Sequence, residues 1–156
     1  RSLARRLAEG DPWEVIYSSD LSRAFRTACI IAEALRLPLP RTDRRLREKA
    51  FGEAEGTTLE ERLDRWGESW RERIRGAEAA QEVVSRGTEA LHEIMERHAG
   101  GNILIVTHGG WIASMLESLL PAAELPYIGN TSISILERRD GGWHPVLLGC
   151  QAHIDA

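Results

Sequence analysis

Residues 102–111 read Asn102-Ile-Leu-Ile-Val-Thr-His108-Gly-Gly-Trp111, and their reading decides the fold. A run of apolar, mostly β-branched residues predicts a strand. It ends abruptly at His108 and two glycines, and Trp111 to Leu120 then reads as a helix that stops before Pro121. Strand, glycine turn and helix form the repeating unit of α/β proteins, in which ligands bind beyond the carboxyl ends of the strands. His108 stands at such an end. From residue type alone it is a packed core residue, a metal ligand or a catalytic group.

The same unit lies upstream. Glu14 to Ser18 is a short β-type run ending in Ser18-Ser19-Asp20, and Ser19 or Asp20 is suited to cap a helix from about Leu21 to Leu35. In that helix Leu21, Ala24, Ala28, Ile31 and Leu35 recur at three- and four-residue steps, and Pro38 and Pro40 end it. Arg23 therefore falls in the first turn after a strand. Thr42 to Gly56 is a charged, glycine-containing loop. From Leu59 to about Ile74 the Glu–Arg pairs, with Trp66 and Trp70 four residues apart, predict one helix bearing an aromatic stripe. A further helix is expected from about Ala79 to His98, closed by Gly100-Gly101. Residues 57–80 are read as a helical segment covering the sheet.

Downstream, Ser132 to Arg138 and His144 to Leu148 are β-type runs joined by Asp140-Gly141-Gly142, a hairpin signal. Alternating strands and helices imply an α/β fold, a three-layer sandwich in a single domain spanning residues 1–156. At the start, Leu3 and Leu7 have helical spacing with no capping residue before them. This reads as the second half of a helix and predicts a segment ahead of Arg1.

With 156 residues, 42% hydrophobic and 28% charged, the chain is an ordinary globular one, and a net charge of -4 argues against nucleic acid as a partner. Arginines cluster at Arg41, Arg44, Arg45 and Arg47 and at Arg71, Arg73 and Arg75, runs expected on solvated faces. Cys29 and Cys150 offer neither a disulfide framework nor metal spacing. No apolar run approaches the roughly 20 residues that span a bilayer, so no membrane association is expected and a cytoplasmic location is the simplest. His92 and His98 do not share a helical face, which argues against a metal site built from them with His108.

An arginine fork, a histidine and helix N-termini meeting at one sheet end would suit a doubly charged phosphoryl group. Arg23 and His108 supply the first two, and the glycines after His108 let backbone N–H groups approach a ligand. Glu48, one of three carboxylates in the loop with Glu53 and Glu55, is a candidate proton donor. Like charge from a bound phosphate would favour the protonated form of such a group.

Taken together, "YSSDLSRAFRTA" (17–28), "LREKAFGEAEG" (46–56), "GAEAAQEVVSRG" (76–87), "ILIVTHGG" (103–110) and "GNTSISIL" (129–136) resemble the histidine phosphatase superfamily in order, over nearly the whole chain. The resemblance implies a phosphoglycerate mutase-like α/β/α sandwich with a mixed, mostly parallel sheet. It implies a phosphomonoester hydrolase acting on a small phosphorylated metabolite through a phosphohistidine, without metal or other cofactor. Arg23, Glu48 and His108 match its catalytic positions: Arg23 and His108, with Gly109, would bind the phosphoryl group, and Glu48 would protonate the leaving group. Homodimer formation is compatible with it. The family's nucleophilic histidine sits in an Arg-His-Gly motif after a first, central strand, and this sequence has no such motif. Arg97-His98 in "ERHAG" ends a helix and lacks that context. The expectation is that roughly 40 further residues, about one βα unit, precede Arg1. Alternative readings are a phosphoglycerate mutase and an inactive phosphate- or partner-binding member. Ala54 and Trp111 depart from side chains common in relatives, while Glu78 and Arg86 keep the family spacing and are read as structural partners.

Overall fold

The computed structural model describes residues 1–154. Its elements follow the order α1 (Ser2–Ala8), β1 (Val15–Ser18), α2 (Ser22–Leu35), β2 (Arg41–Thr42), α3 (Leu59–Trp66), α4 (Trp70–Arg73), α5 (Ala80–Arg97), β3 (Ile103–Val106), α6 (Gly109–Leu119), β4 (Ile133–Arg139) and β5 (Gly142–Cys150). Single 3-10 turns occupy Arg44–Leu46 and Gly52–Ala54.

β1 lies between β2 and β3, parallel to both, with Ile16 opposite Leu104 and Tyr17 opposite Ile105. Because strand side chains alternate between faces, the apolar runs feed two cores. Ile16 and Leu104 pack with Ala4, Leu7, Ala28, Ile31 and Ala32 of α1 and α2. Tyr17, with Ile103 and Ile105 alongside, packs with Val83, Ala90 and Ile94 of α5 and Trp111 and Met115 of α6. The result is helix, sheet and helix in three layers. Gly87 makes the α5–α6 contact close: a Cβ there would overlap Met115 Sδ and lie 3.1 Å from Trp111 Cζ2.

β4 and β5 form a separate antiparallel hairpin. Its turn has Asp140 at φ 53° and Gly141 at φ 74°, the doubly left-handed geometry that the Asp-Gly signal predicts. Among the described residues β3 pairs only with β1 and β4 only with β5, so each has one edge without a strand partner.

The structure corrects several expectations. The helix predicted over 59–74 breaks at Gly67, whose φ of 73° ends α3 in a conformation that favours glycine. Trp66 and Trp70 consequently belong to different helices, with no common stripe. Trp70 is buried and flanked by the Arg62 and Arg71 guanidiniums, 4.8 and 4.5 Å from its ring centroid. Arg62 also stacks on Phe51 at 5.3 Å and donates to Thr57 Oγ1 at 2.9 Å, fastening α3 to the preceding loop. Neither Ser19 nor Asp20 is the N-cap of α2; that residue is Leu21, whose N–H donates to Ser19 Oγ at 3.2 Å. β2, a two-residue strand at Arg41–Thr42, is the extended piece at the start of the arginine-rich loop. α6 begins at Gly109, two residues before its predicted start.

The arginine cluster at 41–47 is less solvated than its composition suggests. Arg45 binds Asp43 and Glu93, both at 2.8 Å, and Arg47 grips Asp20 at 2.6 Å. His92 and His98 are drawn into separate contacts. His92 faces Glu96 at 3.4 Å, whereas His98 lies between Glu14 at 2.9 Å and the Tyr17 hydroxyl at 3.0 Å. Among the described residues no helix is long and apolar enough to cross a membrane.

Candidate active site

His108 is the N-cap residue of α6, at the carboxyl end of β3. Strand pairing fixes its approach, because β1 runs beside β3 in register and Ser19 N–H donates to Val106 O at 3.0 Å. Ser19 Oγ thereby comes within 2.8 Å of His108 Nε2, and both residues are buried. Burial first, and then the positive charge of Arg23, holds the His108 imidazole below its ordinary pKa; the negative charge of Glu48 opposes them. Both effects favour the neutral imidazole at neutral pH.

Glu48 reaches the same helix end from the loop. Its carboxylate accepts the N–H of Trp111 at 3.0 Å, that of Gly110 at 3.3 Å and that of its neighbour Lys49 at 2.9 Å. The amino end of α6 offers unsatisfied N–H groups and a positive dipole end, both of which attract a carboxylate. Gly110 is needed for this approach, since a Cβ there would lie 2.5 Å from Glu48 Oε1. Gly110, one of the two glycine amides expected to approach a ligand, thus serves Glu48 instead, together with Trp111. Arg23 stands exposed in the first turn of α2, and its charge acts on His108. The three candidate residues accordingly gather at one end of the sheet, with Gly109 beside them.

Further residues shape the site, some of which the sequence marks only for other reasons. Ser19 was read only as a helix cap, and its place on the strand end next to Asp20 was the available signal. Asp20 is held by Arg47 at 2.7 and 2.6 Å, and that hydrogen-bonded guanidinium keeps its carboxyl below the usual range. Arg86 donates to Glu78 at 2.7 Å, so the two are the structural partners their spacing suggests, and it also reaches the backbone of the Glu48 loop, which the spacing does not disclose. Trp111 donates its indole N–H to Arg45 O at 2.9 Å. Among the described residues no group of three or more His, Cys, Asp or Glu side chains is placed to hold a metal ion.

Comparison with known proteins places the chain in a family and a fold. The model of the histidine phosphatase superfamily (branch 1) matches residues 1–151. Phosphoglycerate mutase-like protein 4 of Arabidopsis thaliana is 34% identical, the match covering 98% of this chain and 71% of the plant protein. Among solved structures, Bacillus stearothermophilus YhfR superposes with a TM-score of 0.87 at 30% identity, covering 98% of this chain and 81% of that one. A mycobacterial glucosyl-3-phosphoglycerate phosphatase in complex with inorganic phosphate gives 0.82 at 27% identity, covering 97% and 84%.

Proposed function

This chain belongs to the histidine phosphatase superfamily, and from that premise we propose that it hydrolyses a small phosphorylated metabolite through a phosphohistidine. The observation that carries the reading is the meeting of Glu48 and His108 at the amino end of α6, with the charge of Arg23 beside them. Arg23, His108 and the N–H of Gly109 bind the phosphoryl oxygens. An attacking histidine nitrogen forms a bond to phosphorus while the ester P–O bond breaks, and Glu48 gives its proton to the departing alkoxide. Water then attacks the phosphohistidine, Glu48 takes the proton, and inorganic phosphate leaves.

His108 is not assigned the attack. It is neutral, buried and engaged by Ser19, which suits a group that stabilises charge on the phosphoryl oxygens. On this reading the nucleophile belongs to an Arg-His-Gly segment ahead of residue 1, on a strand between the open edges of β3 and β4. Those two unpartnered edges are what support that position. Residues 57–80 then act as the cover over the substrate.

The test uses the full-length protein, after its mass and amino terminus have been determined. Phosphatase activity with an acid-labile, base-stable phosphoenzyme is the expected result. Turnover by a chain that begins at Arg1 would overturn the assignment of the nucleophile. Transfer between phosphoglycerates without net phosphate release would identify a mutase, an outcome to which the plant relative's name lends weight.

A further inference from the structure

We propose that Arg86, held by Glu78, and the indole of Trp111 are positioning residues that set where the Glu48 carboxylate sits. The inference rests on the reading of Glu48 as proton donor.

Residues 45–50 form a loop without strand partners for its first carbonyls, and α5 and α6 supply the missing donors. Arg45 O accepts from Arg86 Nη1 at 2.7 Å and from Trp111 Nε1 at 2.9 Å. Leu46 O accepts from Thr107 Oγ1 at 2.7 Å, next to His108 in the chain. Glu48 O accepts from Arg86 Nη2 at 3.2 Å. Beyond Glu48, the N–H of Ala50 donates to Glu78 Oε2 at 3.1 Å. The Arg86–Glu78 pair thus holds the backbone on both sides of Glu48 without touching its carboxylate.

The chemistry suits arginine. Its planar fork donates to Glu78 at 2.7 and 3.0 Å while the remaining N–H groups reach two carbonyls, a pattern that a lysine ammonium cannot copy. Trp111 holds the same acid twice: its main-chain N–H meets the Glu48 carboxylate, and its indole N–H meets the loop that carries it. Since misplacement by about 1 Å costs on the order of 10²-fold in rate, removing these ties should disable proton donation before it disables phosphate binding.

Two esters separate those effects in the full-length protein. An alkyl phosphate needs a proton on its leaving alkoxide, whereas p-nitrophenyl phosphate, with an acidic leaving group, needs little help. For Arg86→Met we expect kcat on the alkyl ester to fall about 100-fold and on the aryl ester less than about tenfold. Trp111→Phe, which keeps a ring but loses the N–H, and Glu78→Gln should show smaller losses of the same selectivity, and added guanidinium should partly restore Arg86→Met. Equal losses on both esters would make the pair merely structural and overturn the inference. Should Arg86→Met fail to fold, Arg86→Lys and Trp111→Phe decide it, because unaltered ester selectivity in both overturns it as well. Glu48→Gln separates the two readings. If it loses both esters equally, the proton-donor assignment falls and takes the inference with it; if it is selective and the Arg86 variants are not, the inference alone falls.

Discussion

Glu48 Oε1 lies 3.0 Å from the main-chain nitrogen of Trp111, three residues beyond His108 on the same helix end. The acid and the histidine therefore share one support, and a displacement of α6 moves both. Replacing Glu48 by Gln keeps the length of the side chain but removes the transferable proton. On an alkyl phosphate we expect kcat to fall by roughly 10²–10⁴-fold, read by steady-state phosphate release from the full-length protein.

Arg23→Ala and His108→Ala should each lower phosphatase kcat by about 10²–10³-fold, the usual cost of removing one charge-stabilising group. Near-normal rates in either variant would remove that residue from the phosphate clamp.

The two positions are also coupled electrostatically. Arg23 charge helps hold the His108 pKa down, so Arg23→Ala should raise it, and bound inorganic phosphate should raise it in the native protein. An NMR titration of the imidazole reads both shifts. Movement in the opposite direction on phosphate binding would mean that the anion does not sit beside His108.

The same lowered pKa has a stability consequence. Unfolding returns His108 to its ordinary value of 6.5, so the unfolded chain binds a proton that the folded chain resists. Folding stability should decrease as pH drops below about 6.5 and level off once the folded-state pKa is passed, and the penalty should be absent above about 6.5. Denaturant unfolding between pH 7 and 5 checks it: His108→Gln should show a flatter profile than the native protein over this window.

Gly52 allows the Glu48 loop to close on the segment before α5. With φ of 53°, it lies against the backbone of Arg75, Gly76 and Ala77, where a Cβ would collide, and it lets Glu53 N–H donate to Arg75 O at 3.0 Å. Gly52→Ala should destabilise by about 1–3 kcal/mol, seen as a lower Tm. An unchanged Tm would show that the loop accommodates the methyl group.

The periodic and punctuated segments were the legible part of the fold. The strand ending at His108, the helix after Ser18-Ser19-Asp20 and the Asp140-Gly141 hairpin carry local signals strong enough to survive packing. The segment over 59–74 misled because its charge pairs and Trp66–Trp70 spacing continue a helical pattern through Gly67, where the backbone turns left-handed. At the site, residue type and order marked Arg23, Glu48 and His108. Arg86 and Trp111 were marked for other reasons, and the contacts by which Ser19, Arg86 and the Trp111 indole serve the site were hidden because they span 89, 38 to 41, and 66 positions of chain. Backbone carbonyls receive two of these three, and a carbonyl has no letter in a sequence.

Gly87 and Met115, with Trp111 behind them, carry a constraint on descent. The Met115 sulfur lies where a Cβ on residue 87 would stand and the Trp111 indole is 3.1 Å from that place, so position 87 cannot vary without regard to 115. A lineage that keeps methionine at 115 and tryptophan at 111 should keep glycine at 87, and relatives with a larger residue at 87 should carry a smaller one at 115. The order of change is constrained as well: a lineage that first enlarges 87 passes through a crowded intermediate, whereas one that first shrinks 115 passes through a cavity. Which of the two ancestors cost less would be readable from paired substitutions across relatives.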